Sequence, residues 1–164
     1  MDVLPHVVEW EDWYKTTGRQ YLIRNVQEAI DLHLHFLRYT LLRLKVCIVL
    51  PEHNTVAGFK ILSQILPSIS YIVRSWLSAV EDHQVWKSSY KFYFEISIIS
   101  LFDIWQQIHD VPEYRPLTDE YSLAQLCQSV LDTAKRQERN GHGSAVEISE
   151  LGITNLERMW NATC

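Results

Sequence analysis

The chain has 164 residues, 47% of them hydrophobic, the length of one domain with enough apolar material for a sizeable core. Twenty acidic side chains against fifteen basic ones leave a net charge of -5, which argues against a nucleic-acid partner because phosphates are held by clustered positive charge. Cys47, Cys127 and Cys164 are odd in number, widely spaced and free of any CxxC pattern, so they support neither a disulfide framework nor a zinc ribbon.

The opening segment, "MDVLPHVVEWEDWYK", carries early acids and no apolar signal core. No window supplies the roughly 18 uninterrupted apolar residues of a membrane span. A soluble protein with reduced thiols, intracellular and cytoplasmic, is the expectation. Trp10, Trp13 and Tyr14 mark this segment as a short aromatic piece that docks on the domain or on a partner.

Over residues 19–50, Leu22, Val26, Ile30, Leu34, Leu37, Leu41, Leu44 and Ile48 recur at steps of three and four, opposite a polar stripe of Arg24, Glu28, Asp31, His35, Arg38 and Lys45. This predicts one long amphipathic helix ended by Pro51, with Asp31, His35 and Arg38 as a solvated charge cluster. Leu32, Phe36, Leu42, Val46 and Val49 lie beside the main stripe and widen it, so the helix is expected to make contact on two sides. Phe36, Leu42 and Val46 are therefore candidates for an interaction surface, and a homodimer through them follows as an expectation.

Asn54 suits the N-cap of a second helix, whose stripe Leu62, Ile65, Ile69, Ile72, Trp76 and Val80 passes through Pro67 in phase and predicts a bend there. Residues 84–110 contain "FYFEISIISLF", apolar nearly all round. Phe94, Ile98, Leu101, Trp105 and Ile108 extend a helical stripe past the stretch that alternates like a strand. Such a helix belongs at the centre of a bundle. Thr118, followed by Asp119 and Glu120, caps a helix to about residue 140. The polar, glycine-bearing "RQERNGHGS", residues 136–144, reads as an exposed linker, and the capping boxes Ser144/Glu147 and Thr154/Glu157 predict two short helices meeting at Gly152. Together these elements predict an all-α, single-domain bundle of about five to seven helices: residues 1–140 form the bundle with a central apolar helix near 84–110, and 141–164 add the linker and terminal helices.

Several short patterns bear on chemistry. His83, His109, Asp110 and Asp132, with the His-Asp dipeptide closing a helix, resemble the ligand set of HD-domain phosphohydrolases. That resemblance implies a divalent metal that activates water, held by those four residues. The glycine-lysine usual after such a pair is replaced here by Pro112 and Glu113. His109 also reads as a residue of the last helical turn, where its partial charge complements the dipole. In "DLHLH" a helix projects His33 and His35 about 200° apart, so they do not share an ion.

"SELGITNLERMW" resembles the turn of a helix-turn-helix DNA-binding motif at Gly152-Ile153-Thr154, with Ile148 and Arg158 departing where the helices should pack. There is no nucleophile elbow, glycine-rich phosphate loop or carboxylate-bridged di-iron pattern. A non-catalytic protein-protein interaction module without a cofactor is the leading expectation: an adaptor, assembly factor or antagonist. The metal-dependent phosphohydrolase is its alternative. Ile153, Leu156, Met159 and Trp160 of the C-terminal helix complete the expected partner surface, and neither nucleic acid nor a membrane span is expected.

Overall fold

The computed structural model describes residues 4–22, 24–52, 54–139, 148 and 150–163. Among them the regular elements are helical throughout, and the chain is an all-α bundle as its periodicity predicts. Its α-helices are α1 (Leu4–Trp13), α2 (Arg24–Val49), α3 (Thr55–Glu81), α4 (Lys91–Ile108), α5 (Arg115–Glu120), α6 (Leu123–Arg139) and α7 (Glu150–Asn161).

Helix α3 forms because Asn54 caps it, the side chain accepting from the Ala57 amide at 3.0 Å, and because its apolar residues cover far more than one stripe. Leu62, Leu66, Ile69, Ile72, Val73 and Trp76 are completely buried. The helix continues unbroken through Pro67 and packs against α2, α4, α5 and α6. It is the central helix of the bundle, a place the sequence assigns to 84–110. The difference lies in α4, which starts at Lys91 after a 3-10 segment over Val85–Tyr90 and leaves Phe92 and Ile99 60% and 54% exposed. By length and composition α3 is also long and apolar enough to cross a membrane, although Ser63, Gln64 and Pro67 interrupt its apolar run and the bundle encloses it.

Helix α2 is present, but turned. Leu32, Tyr39, Leu42 and Val46 face the core, whereas Leu37, Leu44 and Ile48 face solvent. Two apolar faces share this helix, and α3 covers the one that includes Tyr39, whose hydroxyl bonds Ser100 of α4 at 2.6 Å.

The predicted 118–140 helix is split. Thr118 lies inside α5, its hydroxyl donating to the Arg115 carbonyl, and Ser122 at φ 51 breaks the chain direction before α6. The expected break at Gly152 is absent: α7 runs straight through Gly152 and Thr154 and packs against α4 and α6. A continuous helix removes the turn on which the helix-turn-helix resemblance rests. Ser144, Glu147 and the linker from residue 140 onward lie outside the described residues.

Candidate functional site

The expected partner surface is for the most part internal. Leu42 and Val46 are 1% and 6% exposed, packed in the core under α2. Ile153 and Leu156 are likewise buried, and Met159 and Trp160 pack partly buried against the bundle. Trp160 stacks on Trp105 with ring centroids 6.2 Å apart, Gln106 donates to the Met159 carbonyl at 3.0 Å, and Lys135 pairs with Glu157 at 2.7 Å. Helix α7 thus spends its apolar face on its own domain. Of the residues named from sequence, Phe36 stays near the surface, stacked on Tyr93 at 3.7 Å.

The four residues of the HD-like pattern are not brought together. His83 follows the end of α3, whereas His109 and Asp110 follow α4 near Tyr114, whose ring lies against Gly58 at the start of α3. The length of α3, roughly 40 Å at 1.5 Å per residue, separates the two ends. Asp132 sits on α6, its carboxylate accepting from Gln128 at 2.9 Å. Among the described residues no group of His, Cys, Asp or Glu is placed to hold a metal ion. His109 does what a C-terminal histidine does in a helix, its Nδ1 lying 3.1 Å from the Gln106 carbonyl oxygen. His83 has a backbone role: at φ 49 it takes the left-handed position after α3, and the Gln84 amide reaches back to the Ala79 carbonyl at 3.0 Å. Burial pushes the Cys127 thiol far up, which leaves it a poor nucleophile.

The charge cluster read as solvated is instead the seam that docks α1. Glu11 is buried and bonded to Arg38 of α2 and, at 2.6 Å, to Lys15. Burial alone would raise its carboxyl, but Lys15 and Arg38 outweigh that and hold it below the usual range. Asp31 is buried beside Arg19 at 3.0 Å, and here burial wins, raising its carboxyl. His35 stacks on Tyr71 at 4.1 Å and lies 3.2 Å from the Ser68 hydroxyl, where desolvation lowers its pKa to about 4. The chain leaves α1 through a π-helical turn, Tyr14–Gly18, which seats the Tyr14 ring in the interior with its hydroxyl donating to the Gln27 carbonyl at 3.1 Å.

Docking of α1 creates one wall of an apolar groove across the outer face of α2. Trp10 stands on one side, Phe36 and Tyr93 on the other, with Ile30, Leu34 and Leu37 as floor. Its volume is about 680 Å³ and its lining is almost entirely apolar. His33 edges the far wall, its ring perpendicular to those of Tyr90 and Tyr93 at 5.1 and 5.5 Å. Beyond Leu37 the apolar surface continues along α2 through half-buried Leu41 to Leu44 and Ile48, which are 73% and 62% exposed. A second cleft of about 320 Å³ holds Arg24, Arg74 and Lys87 beside Glu28 and Asp82, so its charges interleave and present no field of one sign. Lys87 is buried there, 3.6 Å from Glu28.

No protein-family model, curated protein or solved structure matches the chain. The periodicity picks out the stripe Leu22–Ile48 as the apolar face of α2 and places the partner surface beside it, at Phe36, Leu42 and Val46, whereas Leu37, Leu44 and Ile48 of the stripe itself are exposed; nothing in the sequence marks the buried role of Glu11. A signal for the first was present: α2 has two apolar faces and one core to bury them in.

Proposed function

We propose that the protein is a non-catalytic helical interaction module, an adaptor, assembly factor or antagonist, whose docking surface is the outer face of α2 together with the Trp10 groove. The observation that carries this reading is the exposure of Leu37, Leu44 and Ile48 on the side of α2 opposite Tyr39, Leu42 and Val46. Large exposed apolar side chains in a contiguous row, next to an aromatic-walled groove, are the surface that helix-in-groove recognition uses. Aromatic anchors such as Trp10 and Tyr93 supply much contact area for little lost side-chain freedom. A reducing intracellular setting suits the exposed free thiol of Cys47 on the same helix.

Affinity capture from extracts of the native cell, with the wild type and Leu44→Glu side by side, tests the reading. Leu44 has no core role, so the variant retains its helicity and melting temperature while losing the captured protein. Recovery of the same partners in the same amounts by both forms would overturn it.

A further inference from the structure

Helix α1 is held to the bundle by different means from α2 to α7. Those six helices all contribute side chains to the buried apolar core, and α1 contributes none of its described ones. Among the described side chains of Leu4–Trp13 the one that is buried is a carboxylate, Glu11, while Val8, Trp10 and Trp13 stay exposed. The aromatic rings pack within the segment itself. Trp10 stacks on Tyr14 with centroids 5.5 Å apart, and the Trp13 ring lies against Gly18, 3.0 Å from where a β-carbon would stand. Lys15, one partner of Glu11, belongs to the same segment, so the ion pair that crosses to α2 is the one between Glu11 and Arg38. A buried pair of this kind adds little net hold, because desolvation of the two charges offsets most of their attraction. A helix of 10 residues is also too short to persist in water without docking. Tyr14 is the firm point: its ring is 1% exposed, its hydroxyl donates to the Gln27 carbonyl, and the π-helical turn Tyr14–Gly18 starts from it.

We infer that α1 is a strap that opens on its own, swinging about the Tyr14 anchor when the Glu11–Arg38 pair parts, while the rest of the bundle stays folded. Closed, it sets Trp10 as a wall of the groove over Ile30, Leu34 and Leu37. Open, it takes that wall away and leaves the outer face of α2 without a rim on that side. The opening is a property of the fold alone. That it governs what reaches the groove rests on the interaction-module reading above.

Hydrogen exchange of the full chain, read by mass spectrometry, tests this. Amides of residues 8–13 need a local opening alone and exchange roughly a hundredfold faster than those at the buried centre of α3, which wait for the whole bundle. Glu11→Lys sets a cation against Arg38 and speeds exchange at 8–13 roughly tenfold further, leaving α3 and the urea midpoint close to wild type. Adding Arg38→Glu to that variant restores the pair with its charges reversed and returns the slow rate. Exchange at 8–13 as slow as in α3, or an acceleration by Glu11→Lys that spreads equally to α3, would show that α1 opens with the bundle and overturn the strap. An unchanged rate in Glu11→Lys, or no recovery in the double variant, would overturn the ion pair as its catch. None of these readings involves a partner, so the capture experiment with Leu44→Glu can fail while the strap stands, and the strap can fail while capture succeeds.

Discussion

A single imidazole records how the N-terminal helix is held. His35 sits among Glu11, which attracts a proton to it, Lys15 and Arg38, which repel one, the buried Ser68 and the half-buried Tyr71. Desolvation dominates, and its pKa falls from an ordinary 6.5 to about 4. Above pH 6.5 both folded and unfolded chains hold it neutral, and its contribution to stability is constant. As pH drops below 6.5 the unfolded chain takes up a proton that the folded chain refuses, so stability falls and levels off only below about 4. The loss approaches roughly 3 kcal/mol, at 1.36 kcal/mol per pKa unit. Urea midpoints between pH 7 and 4.5 should follow this slope and flatten in His35→Gln. Glu11, held low, loses its own stabilisation only at more acid pH, and the raised Asp31 opposes it there. A second residue-scale test concerns Gly58, where a methyl group would collide with the hydroxyl of buried Tyr114. Gly58→Ala gains up to about 1 kcal/mol of helix propensity yet loses about 1–3 kcal/mol to overpacking, for a net loss. Adding Tyr114→Phe should restore part of it, read as a coupling energy in a double-mutant cycle.

At the scale of elements, the end of α3 is the informative junction. His83 occupies the left-handed position where glycine is usual, and such a conformation costs a non-glycine residue about 1 kcal/mol. His83→Gly should therefore raise the denaturation midpoint by the equivalent of about 0.5–1 kcal/mol, an outcome foreign to a catalytic ligand. The helices themselves were legible in the sequence: the Asn54 cap, the stripe through Pro67 and the continuation past Ile98 all follow from local rules. Which face of α2 meets the core was not legible, because Leu37 and Leu44 are as apolar as Leu42 and Val46, and only the packing of α3 separates them. Gly152 misled for a related reason. A glycine stops a helix only where the chain must turn, and against α4 and α6 the continuing helix buries Ile153 and Leu156. Ser122, an unremarkable residue in sequence, makes the turn instead.

For the molecule as a whole, the candidate site reduces to an imbalance between apolar faces and neighbours. Every α-helix from α2 to α7 has at least one helical neighbour, but α2 has apolar residues on two sides and covers one. The retained cost is the exposure of Leu37, Leu44 and Ile48, each of which would gain about 1.5–3 kcal/mol on full burial. Under the proposed function a docked partner would recover part of that, which is why Leu44→Glu is expected to spare folding and abolish association. The sequence showed the double stripe and the aromatic N-terminus, but not that Glu11 would pin Trp10 beside α2 to build the groove wall, because that contact joins residues 27 apart through a buried charge.

The hidden position of α3 has a consequence for the birth of the protein. Until residues 91–139 have left the ribosome to enclose it, Thr55–Glu81 lacks the neighbours that bury Leu66, Ile69 and Trp76, and its apolar surface stands open to association with other nascent chains. Speed of closure by the later helices, rather than anything in the finished molecule, then sets how long that surface stays open.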